Sequence, residues 1–186
     1  MKRFEIIDTP IQDLKIISRQ RLGDSRGFIS RLFCFDELRD AGYSAPIAQI
    51  NHSFSQHRGT VRGMHFQYPP RAEIKLVSCI KGAVWDVAVD IRQNSSTFLH
   101  WYAYELSVDN NCAFLIPEGF AHGFQVLSEG AELIYLHSDI YVPEAEGGLN
   151  PNDPMLAIDW PLKITEKSQR DSERPHLDTN FKGLLL

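Results

Sequence analysis

The stretch Ala83–Arg92, AVWDVAVDIR, decides the fold class of this chain. Apolar and acidic side chains alternate along it, so they point to opposite sides of an extended strand. The apolar members are Trp85, Val87, Val89 and Ile91, and the acidic members are Asp86 and Asp90. An apolar run, LVSCI, precedes the stretch, and Lys81-Gly82 separates the two as a turn. This period of two predicts a sheet that is buried mainly on one side.

Further short strands are predicted on either side of this stretch. They are Trp101–Val108, Ala113–Ile116, Phe124–Leu127 and Glu132–His137. Gly, Pro or Asn separates them at short intervals, which is typical of an antiparallel sandwich or barrel and not of a wound α/β sheet. The clearest helical segment is Asp36–Ala41, where an Asp can cap the start and Gly42 can end the helix. The sequence therefore predicts an all-β chain with a few short peripheral helices.

The length of 186 residues predicts one domain spanning residues 1–186. From about residue 143 the composition shifts to Pro, Glu, Gly, Asp and Asn, and the prolines leave little room for a central strand. We therefore expect a less regular C-terminal segment.

Composition narrows the classes of partner. The formal net charge is -5 and no long run of like charges occurs, so we expect neither nucleic acid nor a membrane as a partner. Three cysteines without a CxxC pair predict reduced structural thiols. The N-terminus has no apolar h-region, and nowhere do about 18 apolar residues run together. These features predict a soluble cytoplasmic protein.

The stretch Arg62–Lys75, RGMHFQYPPRAEIK, contains the first candidates for chemistry, His65 and Lys75. One interpretation is a hairpin whose polar residues face water, and the other is a pair of groups aimed at one carbon acid. A catalytic metal is disfavoured, because His65-Phe66-Gln67 supplies one histidine where metal-binding barrels commonly have a His-x-His motif. Nucleophilic catalysis is also disfavoured, since there is no GxSxG elbow.

Acid–base chemistry remains, because an imidazole titrates near neutral pH. His65 needs a carboxylate partner, and the residues alone leave four open: Asp86, Asp90, Asp153 and Asp171. Lys75 either stabilises an oxyanion or extends to the barrel rim. For Tyr135 alone, a packing role is favoured over proton donation. His122, in IPEGFAHGF, is interpreted as a half-buried histidine placed by a tight turn.

Several ordered motifs, taken together, carry a resemblance to a known family. They are GDSRGF from Gly23, QINHS from Gln49, RGMHFQ from Arg62, Lys75, GAVWDVAVDIR from Gly82, STFLHW from Ser96, IPEGFAHGF from Ile116, Tyr135, NDP from Asn152, IDWP from Ile158 and SQRD from Ser168. Between about Gly23 and Asp178 the chain closely resembles the dTDP-4-dehydrorhamnose 3,5-epimerase family of nucleotide-sugar epimerases.

The resemblance implies a cupin-like jelly-roll β-sandwich that forms a homodimer and needs neither metal nor cofactor. It implies inversion at C3 and C5 of a dTDP-4-keto-6-deoxyhexose, converting dTDP-4-dehydro-6-deoxyglucose to dTDP-4-dehydrorhamnose. His65 matches the base that removes the proton beside the C4 ketone, and Asp171 matches its partner. Lys75 matches the stabiliser of the enolate oxygen, and Tyr135 matches the donor that returns a proton from the opposite face.

The resemblance also implies a set of substrate-binding residues. They are Arg26, Gln49, Asn51, Arg62, His122 and Tyr141. Arg26 and Arg62 suit a diphosphate, because a guanidinium presents a fork to two oxygens.

The chain departs from the family pattern at three places near the implied pocket. Arg31 stands where a glutamate linked to thymine recognition, from the neighbouring subunit, is usual. A cation there suits a base edge rich in acceptors, such as cytosine, so a CDP-linked substrate stays open. Pro151 replaces a tryptophan and Ile50 an aspartate. These changes leave open an epimerase acting only at C3 or only at C5, and a module that binds a nucleotide sugar without catalysis is the alternative from another class.

Overall fold

The computed structural model describes residues 2–186, and most of its regular structure is antiparallel β-sheet. In chain order the strands are β1 Phe4–Asp8, β2 Lys15–Arg19, β3 Arg21–Asp24, β4 Gly27–Ser30, β5 Gln49–Ser55, β6 Val61–Gln67, β7 Lys75–Lys81, β8 Ala83–Asp90, β9 Trp101–Ser107, β10 Cys112–Ile116, β11 Phe120–Val126, β12 Ala131–His137 and β13 Glu146–Gly148. The helices are α1 Phe35–Leu38 and α2 Gln169–Glu173, and Pro143–Ala145 form a 3₁₀ turn. The all-β prediction is confirmed.

Two sheets form the sandwich, and a separate hairpin lies beside them. One sheet has six strands in the order β1-β2-β10-β7-β12-β5, and the other has five in the order β13-β6-β11-β8-β9. Strands β3 and β4 pair only with each other within residues 2–186. Consecutive strands β6, β7 and β8 alternate between the two sheets, so functional groups close in sequence reach opposite walls of the sandwich.

This alternation corrects the hairpin interpretation of Arg62–Lys75. Strand β6 lies in the five-stranded sheet and β7 in the six-stranded sheet, so the loop between them crosses from one sheet to the other. The Lys81-Gly82 turn, with φ of +72° at Gly82, likewise leads from β7 across to β8. A turn signal in the sequence does not show whether the next strand pairs with the preceding strand in the same sheet or lies in the opposite sheet.

The prediction that β8 belongs to a sheet buried mainly on one side is wrong. Asp86 and Asp90 are both fully buried, as are Val87 and Val89 on the other face. Asp86 pairs with His122 at 2.6 Å, and Asp90 accepts hydrogen bonds from Arg92, Ser95 and Thr97 at 2.6–3.0 Å. Acidic residues on alternate positions therefore mark buried, paired carboxylates here and not a solvent face.

Three apolar clusters explain why both sheets are covered on both faces. The first lies between the sheets and includes Ile16, Val77 and Phe114. The second lies outside the six-stranded sheet, where Leu38 of α1 and Tyr43 cover it. The third lies outside the five-stranded sheet and is completed from the C-terminal part of the chain by Leu149, Leu156 and Leu184. The predicted irregular C-terminal segment thus serves as a cover for that sheet.

Two elements begin or end more than two residues from their predicted positions. Strand β11 begins at Phe120, earlier than the predicted Phe124, because the chain pairs with both β6 and β8 directly after the Gly119 turn. His122 therefore lies inside a central strand and is 6% exposed. The first helix spans only Phe35–Leu38, and Asp36 lies in its first turn and not at its cap, which is Cys34.

A β-bulge in β6 sets which of its side chains face the interior. His65 pairs with His122 but Arg62 pairs with Phe124, so β6 carries one extra residue over this interval. Without the extra residue, positions three apart would point to opposite faces. With it, Arg62 and His65 both line the pocket between the sheets.

Gly63 makes the bulge possible, and its replacement gives a direct test. Its φ is +128°, and a Cβ there would lie 2.5 Å from Gly123 Cα and 2.9 Å from the His122 carbonyl oxygen. Gly42 has a similar φ of +119° but open space around it. Gly63→Ala should lower the free energy of unfolding by about 1–3 kcal/mol more than Gly42→Ala, because only Gly63 adds a backbone clash to the conformational strain. If urea unfolding shows equal losses of unfolding free energy in Gly63→Ala and Gly42→Ala, the backbone clash at Gly63 is contradicted.

Candidate active site

A cavity of about 510 Å³ lies between the two sheets and is lined from both of them. Strands β6 and β11 contribute Arg62, His65 and His122 from one wall. Strands β7 and β12 contribute Lys75 and Tyr135 from the other. The edge strand β5 and the loop after β12 form part of its rim.

His65 is paired with Asp171, which resolves the choice among four carboxylates. Its Nε2 lies 2.7 Å from Asp171 Oδ1, although the two residues are 106 positions apart. Asp171 lies in α2, where the Ser168 side chain caps the helix by accepting a hydrogen bond from the Asp171 N–H. Burial works to raise the pKa of Asp171, but the hydrogen bond and the charge of His65 outweigh it and lower the pKa. The carboxylate is therefore ionised beside the imidazole.

A second histidine–aspartate pair lies next to the first. His122 Nε2 is 2.6 Å from Asp86 Oδ1, and both side chains are almost completely buried. His122 is directly opposite His65 in the register of β11 and β6. Burial raises the pKa of Asp86, and its Oδ2 has no hydrogen-bond partner among residues 2–186. The two imidazoles thus stand side by side on one wall, each held by its own carboxylate.

Tyr135 projects from the opposite wall. Its hydroxyl lies 3.1 Å from Ser53 Oγ, and its ring lies between those of His122 and His137, with centroids at 6.1 and 6.0 Å. Burial raises the pKa of Tyr135 well above its usual value. The phenol therefore keeps its proton at neutral pH.

Lys75 is held inside the cavity and does not extend to solvent. Its side chain is 9% exposed, and its Nζ lies 3.1 Å from Glu73 Oε1. The other oxygen of Glu73 lies 2.8 Å from His137 Nδ1. The rim interpretation of Lys75 is therefore wrong, because a buried carboxylate partner offsets the cost of keeping an ammonium away from water.

The other predicted binding residues fall into two groups. Arg62, Asn51 and Tyr141 line the same cavity as His65. Gln49 lies beside them: its Nε2 donates to Asn51 Oδ1 at 3.0 Å, and its Oε1 accepts from the Tyr141 N–H at 3.0 Å.

Arg26 and Arg31 lie outside this cavity in the described chain. Arg26 belongs to the turn between β3 and β4, where it pairs with Asp24 at 2.5 Å and its side chain is 87% exposed. Arg31 follows β4 and forms an ion pair with Glu37. The structure of a single chain brings neither guanidinium to His65.

The cavity-lining residues that were not singled out from the sequence include Ser53, Glu73, His137, Glu146 and Arg170. Glu146 accepts a hydrogen bond from Tyr141 Oη at 2.5 Å and pairs with Arg170 Nη1 at 2.8 Å. Glu73 lies two residues before Lys75 and His137 two after Tyr135, so the strand period of two was the available signal.

Two negative findings concern the described residues. Within residues 2–186, no three His, Cys, Asp or Glu side chains cluster in a way that would hold a metal ion. No helix in the same part of the chain has the length and apolar character needed to cross a bilayer. The metal-free reaction expected from the sequence stays a prediction.

The arrangement combines three functions in one cavity. One wall presents an imidazole with an ionised carboxylate partner, and the other presents a protonated phenol and an ammonium. Such groups can remove a proton from one face of a carbon acid and return one to the other. These features are those of a cupin-like β-sandwich whose cavity holds groups suited to acid–base chemistry.

Comparison with known proteins identifies the family. Residues 8–179 match the family model of dTDP-4-dehydrorhamnose 3,5-epimerase. The chain is 45% identical over 174 residues to the dTDP-4-dehydrorhamnose 3,5-epimerase of Escherichia coli K12, covering 90% of this chain and 92% of that one. The chain belongs to the dTDP-4-dehydrorhamnose 3,5-epimerase family, a family of isomerases.

Two further relatives bear on substrate and specificity. The crystal structure of the Legionella pneumophila 3,5-epimerase, in complex with dTDP-4-keto-L-rhamnose, matches with a TM-score of 0.91 at 40% identity, covering 98% of this chain and 99% of that one. A dTDP-4-dehydrorhamnose 3-epimerase from Streptomyces niveus is 40% identical over 158 residues, covering 84% of this chain and 76% of that one. The family therefore includes enzymes named for one epimerised carbon as well as two.

The lowered pKa of Asp171 predicts a pH-dependent contribution to stability. At pH 7, Asp171→Asn should lower the free energy of unfolding by about 1.5–3 kcal/mol, the usual value for a hydrogen bond to a charged group. The contribution is present above the ordinary pKa of 3.8 and is lost as pH falls through the lower folded-state pKa. The difference in free energy of unfolding between wild type and variant, measured by urea unfolding, should therefore become smaller below about pH 4. A gap that stays constant from pH 7 to pH 3 would rule out an ionised, stabilising Asp171.

Proposed function

We propose that this protein epimerises C3 and C5 of a dTDP-4-keto-6-deoxyhexose, converting dTDP-4-dehydro-6-deoxyglucose to dTDP-4-dehydrorhamnose. One observation carries the proposal above the others: His65, paired with Asp171 of α2, and Tyr135 project from opposite sheets into one cavity. Inversion at carbon needs a base on one face and an acid on the other, which two facing walls supply.

His65 is the proposed base. Its Nε2–H donates to the ionised Asp171, which leaves the lone pair on Nδ1 free to accept a proton. Asp171 fixes this tautomer and stabilises the imidazolium that forms when the proton leaves the carbon beside the ketone. General-base catalysis of this kind contributes roughly 10²–10⁴-fold in rate.

Lys75 is the proposed stabiliser of the enolate. Removing the proton moves negative charge onto the C4 oxygen, and a buried ammonium aimed at that oxygen stabilises the charge more strongly than water does. A single donor of this kind is worth about 3–4 kcal/mol of the barrier. The low exposure of Lys75 supports this role, because solvent does not screen its charge.

Tyr135 is the proposed acid that completes the inversion. Its raised pKa keeps the phenol protonated at neutral pH, and Ser53 orients the hydroxyl. It returns a proton to the face opposite His65. No electron acceptor is needed, since the ketone that acidifies both neighbouring carbons is already present in the substrate.

The proposed substrate-binding residues lie around the same cavity. Arg62 at the mouth suits the diphosphate, and Gln49, Asn51, His122 and Tyr141 surround the sugar and nucleotide. The nucleotide-linked substrate supports a cytoplasmic location. The alternative is inversion at C3 only or at C5 only, and the Streptomyces niveus relative, a 3-epimerase, supports the C3 form. Arg31, in place of the glutamate usual in the family, leaves room for a different base, such as the cytosine of CDP.

We place Arg26 and Arg31 in the active site of a second copy of the chain. The β3–β4 hairpin that carries Arg26 exposes Phe28 and Ile29, at 60% and 71%. Edge strand β5, beside the cavity, exposes Ile50 and Phe54 at 62% and 51%. A homodimer that buries these surfaces would bring each hairpin to the partner's cavity, which a single chain does not do.

Replacing Tyr135 separates proton removal from proton return. In heavy water, Tyr135→Phe should still incorporate deuterium at C3 or C5 through His65, but with retained configuration, so net epimerisation falls by roughly 10²-fold or more. NMR of the recovered dTDP-sugar measures both quantities. Tyr104→Phe, on β9 and outside the cavity, is the control and should behave as wild type. Inversion at the wild-type rate in Tyr135→Phe would exclude the phenol as the acid.

Mixing two inactive variants tests whether Arg26 acts across the dimer. His65→Ala and Arg26→Ala should each be nearly inactive alone. If each site takes His65 from one chain and Arg26 from the other, a mixed dimer has one intact site. Refolding the two variants together should then restore about a quarter of wild-type activity, since half of the dimers are mixed. No recovery, despite mixed dimers detected by native mass spectrometry, would show that Arg26 does not act in the partner's site.

A further inference from the structure

A buried ionic cluster inside the cavity joins Lys75 to Glu73 and His137, two residues that have no role in the reaction described above. Glu73 lies at its centre, with Oε1 3.1 Å from Lys75 Nζ and Oε2 2.8 Å from His137 Nδ1. All three side chains are at most 10% exposed. One carboxylate thus contacts two basic groups in the wall that carries Tyr135.

Strand geometry explains why these three residues meet. Lys75 is directly opposite His137 in the register of β7 and β12, so the two side chains are neighbours on one face. Glu73 lies two positions before Lys75, just ahead of β7, and its carboxylate reaches both side chains. Two basic groups placed opposite each other would repel if both were charged, and the carboxylate between them removes that cost.

The charge state of Glu73 follows from its surroundings. Burial alone would raise its pKa, but the attraction of Lys75 and the hydrogen bond from His137 outweigh burial, and the net shift is downward. Glu73 is therefore ionised. His137 Nδ1–H donates to it, and His137 Nε2 then accepts the weak contact from Asn51 Nδ2 at 3.5 Å.

We propose that Glu73 is a positioning residue that holds the Lys75 ammonium in place for the enolate, and that His137 fixes the Glu73 carboxylate. The proposal rests on the proposed function for the role of Lys75. Glu73 occupies one of the three ammonium donors and leaves two for the substrate. A free lysine side chain has several rotatable bonds and loses conformational entropy when it is ordered. If Glu73 orders Lys75 before the substrate binds, the reaction does not bear that entropy loss.

A double-mutant cycle distinguishes positioning from an independent role. Glu73→Gln should lower kcat by roughly 10- to 100-fold, because a displaced donor stabilises the enolate poorly, while KM changes little. Lys75→Met should lower kcat by roughly 10²–10³-fold. Adding Glu73→Gln to Lys75→Met should then have no further effect, since Glu73 acts only through Lys75. Effects that multiply in the double variant would overturn the proposal.

The matched control is a similar ion pair on the same two strands. Lys81 of β7 and Glu132 of β12 also lie 3.1 Å apart, but their side chains are 62% and 25% exposed and lie outside the cavity. Lys81→Met, which leaves the contact between Glu132 and the cavity-lining His52 in place, should leave kcat and KM unchanged and is compared with Lys75→Met. His137→Phe keeps an aromatic ring beside Tyr135 but removes the Nδ1 donor, and it should lower kcat less than Glu73→Gln does.

A second measurement does not depend on turnover. Acetic anhydride acylates the deprotonated amine of lysine, and mass spectrometry measures the rate at each position. A lysine that is buried in an ion pair reacts slowly. Lys75 should be protected in the wild type and react roughly 10-fold faster in folded Glu73→Gln, whose unfolding midpoint serves as the check on folding. Equal protection in both proteins overturns the positioning proposal. If Lys75 reacts faster in Glu73→Gln but the wild-type protein epimerises no nucleotide sugar, the result supports the positioning proposal and refutes the proposed function.

Discussion

The need to cover the outer face of the five-stranded sheet shapes both the fold and the site. Val87, Val89 and Ile91 project from that face and require an apolar cover, which Leu149, Leu156 and Leu184 provide. The C-terminal chain that supplies the cover also carries helix α2, which places Asp171 2.7 Å from His65. The same segment therefore completes the hydrophobic core and delivers the carboxylate that orients the base.

The inner face of the sandwich combines packing with paired polar groups. Apolar residues fill the inter-sheet space at one end, and histidines, carboxylates and a lysine line the cavity at the other. Each carboxylate there has a basic partner: Asp171 with His65, Glu73 with Lys75 and Asp86 with His122. Pairing keeps these groups inside the protein at tolerable cost and fixes their directions, which is what acid–base chemistry on a bound sugar requires.

Sequence patterns predicted the strands well and their surroundings poorly. Apolar runs and turn residues located β7, β9, β10 and β12, and the period of two located β8. The same period gave Asp86 and Asp90 a separate polar face, because a buried paired carboxylate and an exposed one look alike in one sequence. The residues taken alone left the partner of His65 open among four aspartates; the family resemblance pointed to Asp171, and the three-dimensional structure has Asp171 beside His65. Glu73 was missed because its role depends on a contact with His137, which lies 64 positions away in the sequence. Local pattern determines secondary structure, whereas pairs far apart in sequence depend on tertiary packing.

The central claim is that His65 and Tyr135 act from opposite walls on one nucleotide-linked 4-keto sugar. The most direct test is proton exchange in heavy water with dTDP-4-keto-6-deoxyglucose, followed at C3 and C5 by NMR. The claim predicts one deuterium at each carbon, inverted configuration at both, and loss of exchange in His65→Asn with dTDP affinity preserved. Absence of exchange at both carbons in a folded wild-type protein that binds the sugar, or full exchange in His65→Asn, would contradict it.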